Sequence, residues 1–168
     1  EGYGELKELD WDDYRERYTN ISRLDRILEA EDDDVNAYRA SKQADVLMLF
    51  YVLSSEEMRD LFSGLGYELS DDDIQRTVDY YMARTSHGST LSRLVHSWVL
   101  ARANRSGAME FFDDVLRSDI NDIQGGTTQE GIHLAAMAGS VDLLQRCFTG
   151  LETRGNRLIL RPHWPDSL

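Results

Sequence analysis

Apolar residues recur at helical spacing along most of this chain, and short stretches rich in Gly, Ser or Asp interrupt them. Residues 1–10 are acidic with two glycines and read as a loop or incoming linker, and residues 11–18 as a short turn or helix. Ile21, Leu24, Ile27 and Leu28 form a helical stripe that the acidic run 29–34 ends. Residues 44–53 are apolar almost all round, which predicts a helix buried on most sides. Ser54-Ser55-Glu56-Glu57 has the form of a capping box, opening a helix that stops near Gly64 and Gly66. Ser70-Asp71-Asp72-Asp73 opens the next, through Ile74, Val78, Tyr81 and Met82. Leu91, Leu94, Val95, Trp98 and Val99 mark a further helix over 91–103, followed by a short turn over 104–107. Met109, Phe112, Val115 and Leu116 mark another, ending near Asp119. A helix over 131–138 is expected to close at Gly139, with Ser140 capping a last one that runs through Phe148 to Gly150. Past Gly155, Leu158-Ile159-Leu160 is a β-like run broken by Pro162 and Pro165.

These patterns predict an all-α fold of roughly seven helices with almost no strand. Very apolar helices (44–53, 91–101, 131–138) alternate with amphipathic ones (55–64, 71–83, 108–118, 140–149). That alternation suggests inner and outer layers of stacked helical hairpins, about half a toroid with a concave face open. No fixed-length solenoid repeat is present.

Composition narrows the classes. The chain has 168 residues, 41% of them hydrophobic, enough for one domain with a core. Its net charge of −13 argues against non-specific binding to nucleic acid or an anionic membrane surface. No apolar run reaches membrane-spanning length. Cys147 is the only cysteine, so neither an intrachain disulfide nor a cysteine-based metal site is expected, and a reducing, cytoplasmic setting fits.

Two polar stretches carry candidate chemistry. Thr85-Ser86-His87-Gly88-Ser89-Thr90-Leu91-Ser92 leads straight into an apolar helix, and Gly125-Gly126-Thr127-Thr128-Gln129-Glu130 runs into a second. A helix N-terminus leaves backbone N–H groups unpaired and positive in partial charge, which suits an anion. Two readings stay open from spacing: one phosphate cradled by both loops, or two ordinary Ser/Thr caps. Lys42, Gln43 and Asp45 lie at the start of the 44–53 run; a cation there opposes the helix dipole, a hint of function. His133 reads as a satisfied histidine on an apolar helix face, and the histidine spacings give no metal triad. Glu130 is the best-placed single carboxylate, either near a helix N-cap or as a base.

At three words the chain resembles the C-terminal half of the catalytic barrel of glycoside hydrolase family 65, which includes the maltose, trehalose and kojibiose phosphorylases. They are Tyr38-Arg39-Ala40-Ser41-Lys42-Gln43-Ala44-Asp45-Val46, Arg84-Thr85-Ser86-His87-Gly88-Ser89-Thr90-Leu91-Ser92, and Asp122-Ile123-Gln124-Gly125-Gly126-Thr127-Thr128-Gln129-Glu130-Gly131-Ile132-His133-Leu134. The resemblance implies part of an (α/α)6 toroid built of helical hairpins, with a short C-terminal β-strand. It implies that residues 1–155 are half of the catalytic barrel and 156–168 the start of a truncated β-domain. It also implies sugar-binding roles for Lys42 and Gln43, and phosphate-binding roles for His87, Ser89, Thr90, Gly126 and Thr127. Inorganic phosphate is then the co-substrate, with no cofactor and no metal, and the partners are a disaccharide and phosphate. The family's general acid has no counterpart here, so this chain by itself is expected to be silent, and its open half-barrel to favour self-association or a homodimer. Two rivals remain: a family-65 hydrolase such as a trehalase, with Glu130 as base, and a non-catalytic helical interaction module.

Overall fold

The computed structural model describes residues 3–101, 104–126, 128–162 and 164. They form two compact units, Glu1–Ser89 and Thr90–Leu168. The class is the expected one: eight α-helices among the described residues, with a short β-hairpin near the C-terminal end.

In the first unit, α1 (Trp11–Arg17) and α2 (Leu24–Ala30) build the core. Leu9, Trp11, Tyr14, Leu24 and Leu28 are buried together, with Ile21, Val35 and Tyr38 packed against them. Asp10 caps α1 through the Asp13 N–H at 3.1 Å, and acidic residues in its first turn with arginines in its last complement the dipole. Glu31, just past α2, accepts from the Tyr14 hydroxyl at 2.5 Å, the Tyr18 hydroxyl at 2.8 Å and Arg17 at 2.7 Å. These donors, Tyr14 first, hold its carboxyl down to about pKa 2. Desolvation, then the bond to Glu31, pushes the Tyr14 phenol up to about 12.

α4 (Ser55–Gly64) and α5 (Asp71–Ala83) begin at two complete capping boxes, Ser54 with Glu57 and Ser70 with Asp73. Between α2 and α4 the expectation fails. The 44–53 run is not a long buried helix; α3 covers only Met48–Val52. Ahead of it, the backbone is held extended: Ser41 pairs in parallel with Thr85. Behind it, Leu53 and Ser54 are already extended because Ser54 is the cap of α4. Ala44 and Leu47 are buried, but Leu49 and Val52 are exposed, Val52 at 65%. An apolar run is buried all round only where neighbours cover every side, and here they cover one.

In the second unit, α6 (Thr90–Leu100) packs on α7 (Arg105–Arg117) and on α8 (Leu134–Asp142). Leu94, Val95, Ala108, Phe112, Val115, Ala136, Leu143 and Phe148 are buried, with Phe112 and Phe148 edge to face at 5.4 Å. Burial pushes the His96 imidazole on α6 down to about pKa 4, while its Nδ1–H donates to the Ser92 carbonyl at 2.7 Å. The expected turn over 104–107 is in fact the first turn of α7, with Asn104 as its cap through the Gly107 N–H.

The expected break at Gly139 is also absent. α8 runs through Gly139 and Ser140 and continues into a π-helical turn over Leu143–Phe148. A Cβ at Gly139 would lie 1.8 Å from Leu94 Cδ1, so this glycine admits the close approach of α6 and does not end a helix. Ser140 is no cap either; its hydroxyl donates back to the Met137 carbonyl at 2.7 Å. α8 begins at Leu134, later than 131, because Gly131 has φ +129 and residues 131–133 are not helical. Leu158 and Ile159 lie in a strand as expected, but β2 (Arg157–Ile159) pairs with β1 (Glu152–Arg154), register Thr153 opposite Leu158, so β structure begins before Gly155. No described helix is long and apolar enough to cross a membrane.

Candidate functional site

The first unit brings together two of the three words singled out above. Residues 38–42 run extended between two neighbours. On one side Lys7 donates to the Ala37 carbonyl and Arg39 to the Lys7 carbonyl, at 2.9 and 2.8 Å. On the other, Ser41 N–H donates to Arg84, Ser86 N–H to Ser41 and Gly88 N–H to Lys42, at 2.8, 2.9 and 2.7 Å. Lys42 and Gly88, 46 positions apart in sequence, are thus bonded neighbours. Glu8 fixes both strands of this arrangement, taking Arg39 at 3.1 Å and Arg84 at 3.0 and 3.2 Å. Arg84, the first-named cause, holds the Glu8 carboxyl below its usual range.

The turn at 86–89 has a sterically defined shape. His87 is a non-glycine residue at φ +57. A Cβ at Gly88 would lie 2.7 Å from the Ser22 carbonyl oxygen and 2.8 Å from Lys42 Cγ. Only a glycine lets this turn sit against the Lys42 side chain. Thr85 and Ser86 are buried; His87, Gly88 and Ser89 are half-buried. Thr85 donates its hydroxyl to the Tyr81 carbonyl at 2.6 Å, which anchors the turn to the end of α5. Thr90, buried, is the first residue of α6.

Beside the turn lies a cleft of about 280 Å³ lined by Lys42, Ser86, Asp25, Asn36 and Tyr38, with Leu6, Leu24, Val35 and Ala40 as an apolar wall. Asp25 is held as a carboxylate: the two-point contact with Arg23 at 3.0 and 3.2 Å comes first, and Lys42 adds to it. The cleft therefore offers a cation, an anion and amide and hydroxyl groups over an apolar floor, the mix that recognises a small polyhydroxylated ligand. Gln43 is exposed and donates to Asp45 Oδ1 at 2.8 Å. Sequence reasoning missed Asp25 and Asn36, which lie outside the three words and carry no local signal. Ser86 and Tyr38 lie inside them, but nothing in their spacing shows that they line one cleft.

The second unit carries the other loop. Gly126 donates its N–H to Asp122 Oδ2 at 2.6 Å and Thr128 donates to Asp122 Oδ1 at 3.2 Å, so a carboxylate already occupies these amides. Thr127 lies outside the described residues. Glu130 is exposed, at the end of a 3-10 turn over Thr128–Glu130. His133 is not on a helix face. It precedes α8, and both its backbone N–H and its ring Nδ1–H donate to Asp119, at 2.9 and 2.5 Å.

Comparison with known proteins agrees with this picture. Residues 1–142 match the glycosyl hydrolase family 65 central catalytic domain, and the chain belongs to that family. It is 70% identical over all 168 residues to an uncharacterized glycosyl hydrolase of Mycobacterium tuberculosis, of which it covers 13%. It is 40% identical over 166 residues, 98% of this chain, to trehalose 6-phosphate phosphorylase of Lactococcus lactis, of which it covers 22%. A solved structure assigned as a kojibiose phosphorylase from the human microbiome matches 99% of this chain with a TM-score of 0.67 and 25% identity, over 21% of its own length. The chain thus spans about a fifth or less of these relatives, and it is related to the disaccharide phosphorylases. The all-α fold, as part of the family's (α/α)6 barrel, accords with that structural likeness.

Proposed function

We propose that this chain is a segment of an inverting α-glucoside phosphorylase, which converts an α-linked glucose disaccharide and inorganic phosphate to β-glucose 1-phosphate and the second sugar. The observation that carries the reading is the bonded contact of Lys42 with the Ser86-His87-Gly88 turn. Phosphorolysis requires an anion held next to the sugar that is transferred, so that its oxygen is in line with the anomeric carbon. Here a candidate sugar-binding lysine and a candidate phosphate-binding turn share one hydrogen-bonded frame, with a polar cleft beside them.

In this reading Lys42 and Gln43 hold sugar hydroxyls, and His87 and Ser89 bind phosphate. Thr90, Gly126 and Thr127 are assigned to the phosphate site on the family resemblance, Gly126 through the shape of its turn because its N–H is given to Asp122. Inversion follows from direct attack of a phosphate oxygen on the face opposite the leaving oxygen. A general acid protonates that leaving oxygen and is contributed from outside this chain. No cofactor is required; phosphate is a substrate.

The test uses the full-length enzyme that contains this segment. Substitutions His87→Ala and Ser89→Ala are expected to raise KM for phosphate at least tenfold, with KM for the glucoside changed less than threefold. Lys42→Ala is expected to act mainly on KM for the glucoside. The glucosides offered are trehalose, trehalose 6-phosphate, maltose and kojibiose, matching the activities named for the relatives. Wild-type turnover that is indifferent to phosphate would overturn the proposal and favour a hydrolase.

A further inference from the structure

The loop that joins α7 to α8 carries the third family word, and two aspartates brace it. Asp119, two residues past α7, accepts from both the backbone N–H and the ring Nδ1–H of His133, which directly precedes α8. One carboxylate therefore closes the loop at its two ends. An ionised carboxylate only accepts, so the imidazole must carry its proton on Nδ1. The bond to the His133 ring, the largest cause, holds Asp119 below the usual carboxyl range. Its side chain is only 11% exposed, so water competes weakly for these bonds. Asp122 braces the middle. It sits at φ +46, its carbonyl accepts from the Gly125 N–H at 2.8 Å, and its carboxylate takes the amides of Gly126 and Thr128. Gly125 and Gly126 adopt φ +72 and +97, a backbone that other residues rarely take.

We infer that Asp119 and Asp122 are positioning residues, which hold the Gly125-Gly126 turn in one conformation before phosphate arrives. The inference rests on the phosphorylase reading for its functional meaning. Because the Gly126 N–H is given to Asp122, what that glycine supplies is the shape of the turn. The thirteen residues between Asp119 and His133, left unbraced, would sample many conformations, and an anion that binds only one of them pays that entropy on binding. The two carboxylates remove the cost in advance.

The experiment compares Asp119→Ala and Asp122→Asn in the full-length enzyme. In Asp122→Asn one acceptor oxygen becomes a donor facing a backbone N–H. Asparagine in place of Asp119 would leave both bonds possible, because the His133 ring can shift its proton to Nε2 and accept at Nδ1, so Asp119→Ala, which removes both acceptors, is used there. Two readouts are taken: KM for phosphate against KM for the glucoside, and hydrogen exchange of the amides of Gly126, Thr128 and His133. The expected result is a three- to tenfold rise in phosphate KM in each variant, glucoside KM within twofold, and faster exchange at the named amides. Unchanged phosphate KM, or unchanged exchange, overturns the inference. A fall in phosphate KM in Asp122→Asn overturns it too, since the carboxylate would then be a competitor of phosphate. If wild-type turnover needs no phosphate, the phosphorylase reading fails first, separately, and the positioning role falls with it; the exchange rates then report only a structural brace.

Discussion

Replacing Gly88 by alanine probes the contact that joins the candidate phosphate-binding turn to the candidate sugar-binding Lys42. The added Cβ would meet the Ser22 carbonyl oxygen at 2.7 Å and Lys42 Cγ at 2.8 Å, with Lys42 Cε at 3.2 Å. The lysine can move away, but the carbonyl belongs to backbone and yields less. Overpacking of this kind costs about 1–3 kcal/mol. If the turn shifts far enough to lose the Gly88 N–H to Lys42 carbonyl bond, a further cost of about 0.5–1.5 kcal/mol follows. The total is about 1.5–4.5 kcal/mol, divided between folding and the binding geometry of the turn. A share of about 1.4 kcal/mol reaching the bound state raises KM for phosphate tenfold. The assay measures denaturation midpoint and both Michaelis constants in the full-length enzyme. Gly64→Ala is the control: its Cβ would meet nothing within 4 Å, and it is expected to be neutral or to stabilise by at most about 1 kcal/mol. A Gly88→Ala enzyme with wild-type stability and wild-type phosphate KM would refute the close approach and with it the coupling of the two candidate sites.

Two further predictions concern the frame. Glu31 has a folded-state pKa near 2 against an ordinary 4.5, so its bonds to Tyr14, Tyr18 and Arg17 contribute stability that is complete above about pH 4.5 and fades as pH falls toward 2. The difference in denaturation midpoint between wild type and Glu31→Gln should be constant above that range and shrink through it; a pH-independent difference would count against the three-donor geometry. Gly139→Ala should destabilise by about 1–3 kcal/mol through Leu94, and Leu94→Ala in the same chain should relieve part of that cost; strict additivity in a double-mutant cycle would show that the two do not touch.

The parts of the fold legible in sequence were those decided within a few residues. The capping box expected at Ser54 formed, and the acidic helix start expected at Ser70 formed a second one, each a local exchange between a serine and an acid three positions on. The stripe of Leu24 and Leu28 likewise faced a core. What escaped depended on distant partners. A glycine reads alike whether it ends a helix or admits a neighbour, and only the position of Leu94 decides for Gly139. The helix expected over 44–53 starts late, just after residues 41–42, which pair with residues 84–88 some 40 positions away. At the site, the words themselves stood out, but their adjacency did not. Nothing in the spacing of Lys42 and Gly88 says that they meet, and nothing local marks Asp25, or shows Asp122 taking the Gly126 amide.

The most direct test of the central claim follows the anomeric product of the full-length enzyme by proton NMR, with each of the four glucosides, in the presence and absence of inorganic phosphate. The account predicts β-glucose 1-phosphate as the first-formed product from one of them, and no turnover without phosphate. Release of free glucose at the same rate without phosphate, or formation of the α anomer, would contradict it.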